Sequence, residues 1–159
     1  MHIVVPDAYP CAFCDYLAGR RPYTVLRRDS ITATLVTREQ RGVSHLLILP
    51  VRHCATILDL EADESAAVAA SVIDAARAID LAEQRPGIAV WQNNGIPAGQ
   101  AIPHVHFHVA GTLPEGGTIF GPVPELSIDE TNAIGKRVAP FLRGHNISNS
   151  GGPGVLGPT

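Results

Sequence analysis

Residues 104 to 109 read His104-Val105-His106-Phe107-His108-Val109. In extended backbone, residues two apart face the same side at a spacing of about 6.5–7 Å. A strand here puts three imidazoles on one face and Val105, Phe107 and Val109 on the other. A solvated strand accounts for one such histidine. It does not account for three in strict alternation directly after a glycine-rich loop. Two chemistries suit the pattern. Aligned neutral imidazoles can hold a metal ion such as zinc. Alternatively, one imidazole is a nucleophile while its neighbours stabilise charge and pass protons. Imidazole titrates near neutrality, so it can attack phosphorus without a strong base beside it.

Cys11-x-x-Cys14 is the second chemical pattern. By itself it fits a redox dithiol, two ordinary buried thiols or half of a metal site. A redox pair calls for a preceding strand in a βαβ unit, which the first ten residues hardly provide. Cys54 reads as a buried, apolar-like residue. Trp91 reads as a core or interface residue rather than a platform for a base. The cysteine count of three is odd, and Met1 to Pro6 show no export-signal pattern. Both points predict a cytoplasmic chain rather than a disulfide scaffold.

These groups need elements to position them. Residues 11–20 predict a short helix ended by Gly19. Residues 23–28 and 31–37 are β-branched and alternating, with Asp29-Ser30 between them, which predicts a hairpin. Residues 45–51, HLLILPV, predict a buried strand that Pro50 helps to end. Residues 62–84 predict one helix packed on a sheet through Ala66, Val68, Ala69, Val72, Ile73, Ala76 and Ile79, with Pro86-Gly87 as its stop. Strands are predicted at 88–92 and 102–110, on either side of the loop 93–101. The stretch 111–124 is rich in Gly and Pro and suggests no regular element. A C-terminal helix is predicted over 127–143, interrupted by Pro140. The order of elements predicts an α+β domain with an antiparallel sheet over residues 1–143, followed by a mobile tail over 144–159.

Composition narrows the function classes. With 159 residues, 45% of them hydrophobic, the chain can bury a core as one domain without disulfides. A formal net charge of −3 argues against nucleic acid as a partner, which calls for a basic field. No run approaches the roughly 20 apolar residues of a membrane helix, so no membrane partner is expected.

The triad, preceded by Asn93-Asn94-Gly95 and Gly99-Gln100, resembles the signature of the histidine triad superfamily of nucleotide hydrolases and transferases. CAFCDYLAGRRPYTVLRRDSITATLV resembles that family's opening helix and hairpin. SHLLILPVRH, residues 44–53, resembles its strand with a histidine at each end. The resemblance runs from about residue 11 to residue 110, with the elements in order and at matching spacing.

The resemblance implies a histidine triad fold: an antiparallel sheet, a packed central helix and a short N-terminal helix. It implies that His106 attacks the α-phosphorus of a nucleotide and forms a covalent nucleotidyl-histidine, which water resolves. His108 would contact a phosphate oxygen or the leaving group and share proton transfer. His45 matches a histidine near the active site. Asn93, Gly99 and Gln100 match the loop that wraps phosphate and ribose. Ala101 stands where many members carry a serine hydroxyl. Thr37 stands eight positions before His45, where many members carry an aspartate that accepts both ribose hydroxyls. Leu35 and Ile31 would form an apolar base pocket. Members with an N-terminal Cys-x-x-Cys bind a structural zinc, and the matching ligands here are Cys11, Cys14, His53 and His104. The implied partner is a purine nucleotide or nucleotide conjugate, and the implied assembly is a homodimer. Two rival readings are a nucleotide-binding regulatory module with weak or no catalysis, and a metal-dependent hydrolase using the triad as open ligands.

Overall fold

The computed structural model describes residues 2–143. The tail expected over 144–159 lies outside the described residues. Five strands, β1 (Val25–Arg28), β2 (Thr32–Val36), β3 (Val43–Pro50), β4 (Ile88–Gln92) and β5 (Phe107–Gly111), form one sheet in the order β1-β2-β3-β5-β4. Every pairing is antiparallel. The helices are α1 (Ala12–Leu17), α2 (Ala62–Glu83) and α3 (Ile128–Val138).

Local chemistry explains the elements. Between β1 and β2, Asp29 Oδ1 accepts from the backbone N–H of Ile31 and of Thr32, each at 2.8 Å, and this closes the hairpin. Glu64 reaches back to the Glu61 N–H at 2.9 Å and starts α2. α2 ends at Glu83, one residue short of the expected 62–84, because Gln84 adopts a left-handed conformation (φ 48°) and donates its N–H to the Asp80 carbonyl. α3 begins on a reciprocal cap between Ser127 and Glu130 and stops at Val138, where Pro140 enters a short 3-10 turn.

β3 is apolar throughout because both faces are covered. Leu46 and Ile48 pack with Val36, Val109 and the Val68, Ala75, Ala78 and Ile79 face of α2. Leu47 and Leu49 alternate to the other face and pack with Phe13 and Leu17 of α1. The buried stripe of α2 is thus rotated from the one predicted: Ala66, Ala69 and Ile73 face solvent, while Ser71 and Asp74 turn inward. Those two polar residues are satisfied inside, Ser71 by the Thr32 hydroxyl at 3.0 Å and Asp74 by Arg27 and the Arg143 N–H. Helix periodicity alone does not anticipate such partners.

The strand predicted over 102–110 is shorter than expected. It begins at Phe107, so His104 and His106 lie in the bend before it and only His108 is in the ladder. The partner strands run out at that point: Phe107 pairs with Ile48 and with Gln92, near the ends of β3 and β4. The carbonyl of Pro50 is occupied instead by the ring of His104, whose Nε2–H donates to it at 2.9 Å. The three imidazoles therefore do not share a face.

Candidate active site and metal cluster

The bend divides the histidines between two neighbouring sites. His104 turns inward, fully buried, and its Nδ1 lies 3.6 Å from Cys11 Sγ and 3.7 Å from Cys14 Sγ. Cys14 Sγ lies 3.4 Å from His53 Nδ1. All four donor atoms fall within 4.8 Å of one another. Ligands at tetrahedral zinc bond lengths stand about 3.3–3.8 Å apart, so the set fits a four-coordinate ion. The bond from His104 Nε2 to Pro50 fixes the tautomer and presents the Nδ1 lone pair to the cluster. Burial and Cys11 raise the Cys14 thiol to about 11 without a metal, and a bound cation would reverse that shift.

His106 and His108 instead face a cavity of about 810 Å³. The His104 carbonyl accepts from His106 Nδ1–H at 2.7 Å. This leaves the Nε2 lone pair free. Phe13 packs edge-on against the His106 ring at 4.9 Å between centroids. His108 Nδ1 lies 3.0 Å from His45 Nε2. When His45 Nδ1 accepts from the Arg41 backbone N–H at 3.2 Å, His45 Nε2–H donates to His108 and His108 keeps its proton on Nε2. The Glu39 carbonyl, 3.1 Å from the same His45 nitrogen, accommodates the opposite tautomer. Thus His108 Nε2 can be a donor or an acceptor, depending on which way this pair is set.

Burial disfavours the charged form of every imidazole here. Desolvation lowers His106, takes His45 to about 3 and His108 to about 2, with neighbouring His106 and Arg41 adding to the effect on His108. In the free protein all three are neutral at physiological pH, which keeps the His106 lone pair available to attack. The shift carries a stability consequence. An unfolded His45 titrates at 6.5, well above its folded value. Below that pH the unfolded chain binds more protons, so stability is lost as pH falls toward the folded pKa and regained as it rises. Each such imidazole removes up to about 1.4 kcal/mol per pH unit over that window. Thermal melts between pH 7 and pH 5 should show a falling midpoint, and His45→Asn should make that fall shallower. An equal slope in the variant would refute the assignment.

The predicted substrate residues separate into wall and support. Asn93, Gly99, Ala101 and Thr37 line the cavity. Gly99 needs its freedom, with φ at +87°. Gln100 is buried and braces the loop: its Oε1 accepts from the Gly95 N–H at 2.6 Å and its Nε2 donates to the Ala55 and Ile102 carbonyls. Thr37 Oγ1 accepts from the Glu39 N–H at 3.2 Å. Leu35 and Ile31 are not on the cavity wall. Leu35 is fully buried beneath α1, and its cross-strand partner Leu47 occupies the wall instead. His45 acts from behind His108.

Several wall residues escaped the sequence reading. Tyr16 and Tyr23 stack at 4.1 Å beside Phe13. Trp91, expected in a core or interface, lies parallel to the His108 ring at 4.7 Å and 2°. The antiparallel register of β4 and β5, which sets Trp91 opposite His108, carries that contact. Two strands of known alternation were legible, but their register was not.

The HIT domain family model matches residues 19–114. The chain is 27% identical to the adenosine 5′-monophosphoramidase of Schizosaccharomyces pombe, over 84% of this chain and 98% of that one. A HIT-like protein of Bartonella henselae superposes with a TM-score of 0.79 at 20% identity, covering 87% of this chain and 99% of the other. A zinc-bound histidine triad protein of Mycobacterium smegmatis gives 0.72 at 22% identity, covering 84% and 93%. This five-stranded sheet, with its helices and its histidine-lined cavity, belongs to the HIT domain family. Its relatives include nucleotide hydrolases, and its Cys11, Cys14, His53 and His104 group fits the metal-binding branch. Among the described residues no helix is long and apolar enough to cross a membrane.

Proposed function

We propose that this chain hydrolyses a purine nucleotide conjugate, with a nucleoside 5′-phosphoramidate as the preferred class, at its α-phosphorus. One observation carries this reading: His106 is locked by its Nδ1–H to a backbone carbonyl, with Nε2 free at the floor of a cavity beside His108. His106 Nε2 forms a bond to phosphorus as the bond to the leaving amine breaks. The anionic substrate binds together with one proton from solvent, held on His108, and the amine departs with that proton from His108 Nε2, which leaves the imidazole neutral. Water then attacks the nucleotidyl-histidine and gives its proton to neutral His108 Nε2 as the bond to His106 breaks. With His45 Nδ1–H on the Glu39 carbonyl and His108 Nδ1–H on His45 Nε2, neutral His108 has its Nε2 lone pair free to take the proton that water releases. Phe13, Tyr16, Tyr23 and Leu47 supply an apolar floor for the base. The loop 93–101 offers backbone N–H groups to the phosphate, since Ala101 has no hydroxyl.

Zinc is the ion we assign to the Cys11, Cys14, His53 and His104 cluster. A closed four-ligand set cannot activate water. Its part is to pin α1 to the sheet and to hold the His104 carbonyl where it orients His106. We further assign a cytoplasmic homodimer, for which the β4 edge, with Val90 half exposed, offers unpaired backbone.

The test is a panel of adenosine and guanosine phosphoramidates and dinucleoside polyphosphates with the purified chain, quenched to trap label on protein. Turnover with an acid-labile adduct on His106 is the expected result. Tight nucleotide binding with neither turnover nor adduct would identify a regulatory binding module instead.

A further inference from the structure

His45 stands where the sheet loses its regular ladder on both sides. Toward β2 the last paired residues are Val36 and Leu46, so the next rung would join Thr37 to His45. Half of that rung is present, with the Thr37 N–H donating to the His45 carbonyl at 3.3 Å. The side-chain amide of Gln40 takes the place of the other half. Its Oε1 accepts from the His45 N–H at 2.8 Å, and its Nε2 donates to the Thr37 carbonyl at 2.6 Å. Nε2 also donates to the His45 carbonyl at 3.0 Å. One N–H and two carbonyls permit only this orientation of the amide. Toward β5, β3 is irregular between Val43 and Leu46. There Ser44 holds a left-handed backbone (φ 51°) and ties its hydroxyl to Glu83 at 2.5 Å.

The two peptide groups that flank Gln40 face the His45 ring. The Glu39 carbonyl lies 3.1 Å from His45 Nδ1, and the Arg41 N–H lies 3.2 Å from it. Gln40 thus spends its side chain on the backbone of His45 and its neighbouring peptides on the ring. Gln40 itself stands off the cavity wall. We propose that Gln40 is a positioning residue for proton transfer, fixing His45 as the hydrogen-bond acceptor that His108 needs while it carries the transferred proton. The proposal rests on the hydrolase reading above. A doubly protonated His108 has an N–H at Nδ1 as well as at Nε2. The Nδ1–H calls for an acceptor, and His45 Nε2 is 3.0 Å away. That nitrogen has a free lone pair only when the His45 proton sits on Nδ1, where the Glu39 carbonyl takes it. As the P–N bond breaks, the Nε2 proton of His108 goes to the amine. His108 is left neutral, with its Nδ1–H still on His45. The Gln40 amide holds the Glu39 carbonyl in place by tying the turn to the strand. Without the amide the buried His45 N–H loses this partner and the ring loses its fixed seat.

Gln40→Met removes the amide and keeps a side chain of similar length. Two substrates separate the roles. The nitrogen of adenosine 5′-phosphoramidate must be protonated to leave, whereas the p-nitrophenyl ester of AMP loses its phenolate without a proton. Both are followed in single turnovers, which read only the first half of the reaction. Cleavage of the phosphoramidate at saturation should slow about 10- to 100-fold, the scale of a misplacement of about 1 Å. Its half-saturating concentration should stay within about twofold, because Gln40 touches no substrate. The ester should slow by about threefold at most. In His45→Asn protein, Gln40→Met should add nothing, since the residue acts through His45. Gln40→Glu keeps the acceptor for the His45 N–H and gives up both donations, so it should show the same selective loss at smaller size. A readout free of turnover is the scalar coupling between the two ring nitrogens across the His45–His108 hydrogen bond. It should be present in the wild type and lost in Gln40→Met. Equal losses on both substrates, a loss that adds to that of His45→Asn, or an intact coupling in Gln40→Met overturns the proposal. A coupling lost in Gln40→Met, when the wild type turns over neither substrate, overturns the hydrolase reading and leaves Gln40 as the brace of the histidine pair. Full activity and full coupling in Gln40→Met do the reverse.

Discussion

Replacing His106 by asparagine is expected to lower kcat for a nucleoside phosphoramidate by about 10⁴-fold or more, the scale on which removal of a covalent nucleophile acts. The asparagine amide keeps a donor for the His104 carbonyl but has no lone pair to offer phosphorus. His106 sits at the cavity floor rather than inside either apolar cluster, so the fold should survive. Single-turnover kinetics with labelled substrate checks the claim, with circular dichroism as the fold control. Retained turnover, or an adduct on another residue, would show that the covalent route is wrong. His108→Asn should act differently. It removes the proton donor rather than the nucleophile, so its loss should be least for conjugates whose leaving group departs without protonation.

The second large effect concerns the metal. Zinc analysis should find one tightly held ion per chain, lost in Cys14→Ser and retained in His106→Asn. Losing a structural metal belongs to the small class of changes worth about 4 kcal/mol or more. For a domain of this size each kcal/mol moves the thermal midpoint by about 3 °C, so Cys14→Ser should melt about 12 °C lower. Zinc returned to the metal-free chain should release protons, because the Cys14 thiol is otherwise held protonated by its burial. The contrary result, zinc lost with His106 and kept without Cys14, would make the triad itself the metal site and support a metal-dependent hydrolase.

These two predictions are separable because the bend before β5 sends adjacent histidines to different sites. His104 points to the cysteines while its own carbonyl orients His106. A uniform strand would have placed His104 beside His106 in the cavity. The alternation of residue types suggested such a strand, and the partner strands end too early to complete it. Leu35 lies off the cavity wall for a similar reason. Both Leu35 and Leu47 alternate to the same face, and only the seating of α1 decides which is covered and which reaches the cavity. In α2, periodicity favoured Ile73 for the core, yet Asp74 is buried there because Arg27 and the Arg143 N–H are waiting for it.

Several features of the protein were determined by the sequence alone. The hairpin, the buried strand, the long helix and their order follow from local periodicity and turn chemistry, which act over a few residues. The identity of the chemistry follows from residue type: imidazoles two apart, thiols three apart and glycines where a loop needs left-handed backbone. Tertiary structure decided the rest. It chose which imidazole is a ligand and which is free to attack, the pairing of His45 with His108 and the meeting of Trp91 with His108. The reason is physical. Register, tautomer and cavity wall depend on contacts between segments tens of residues apart, and a local pattern places no constraint on its distant partner.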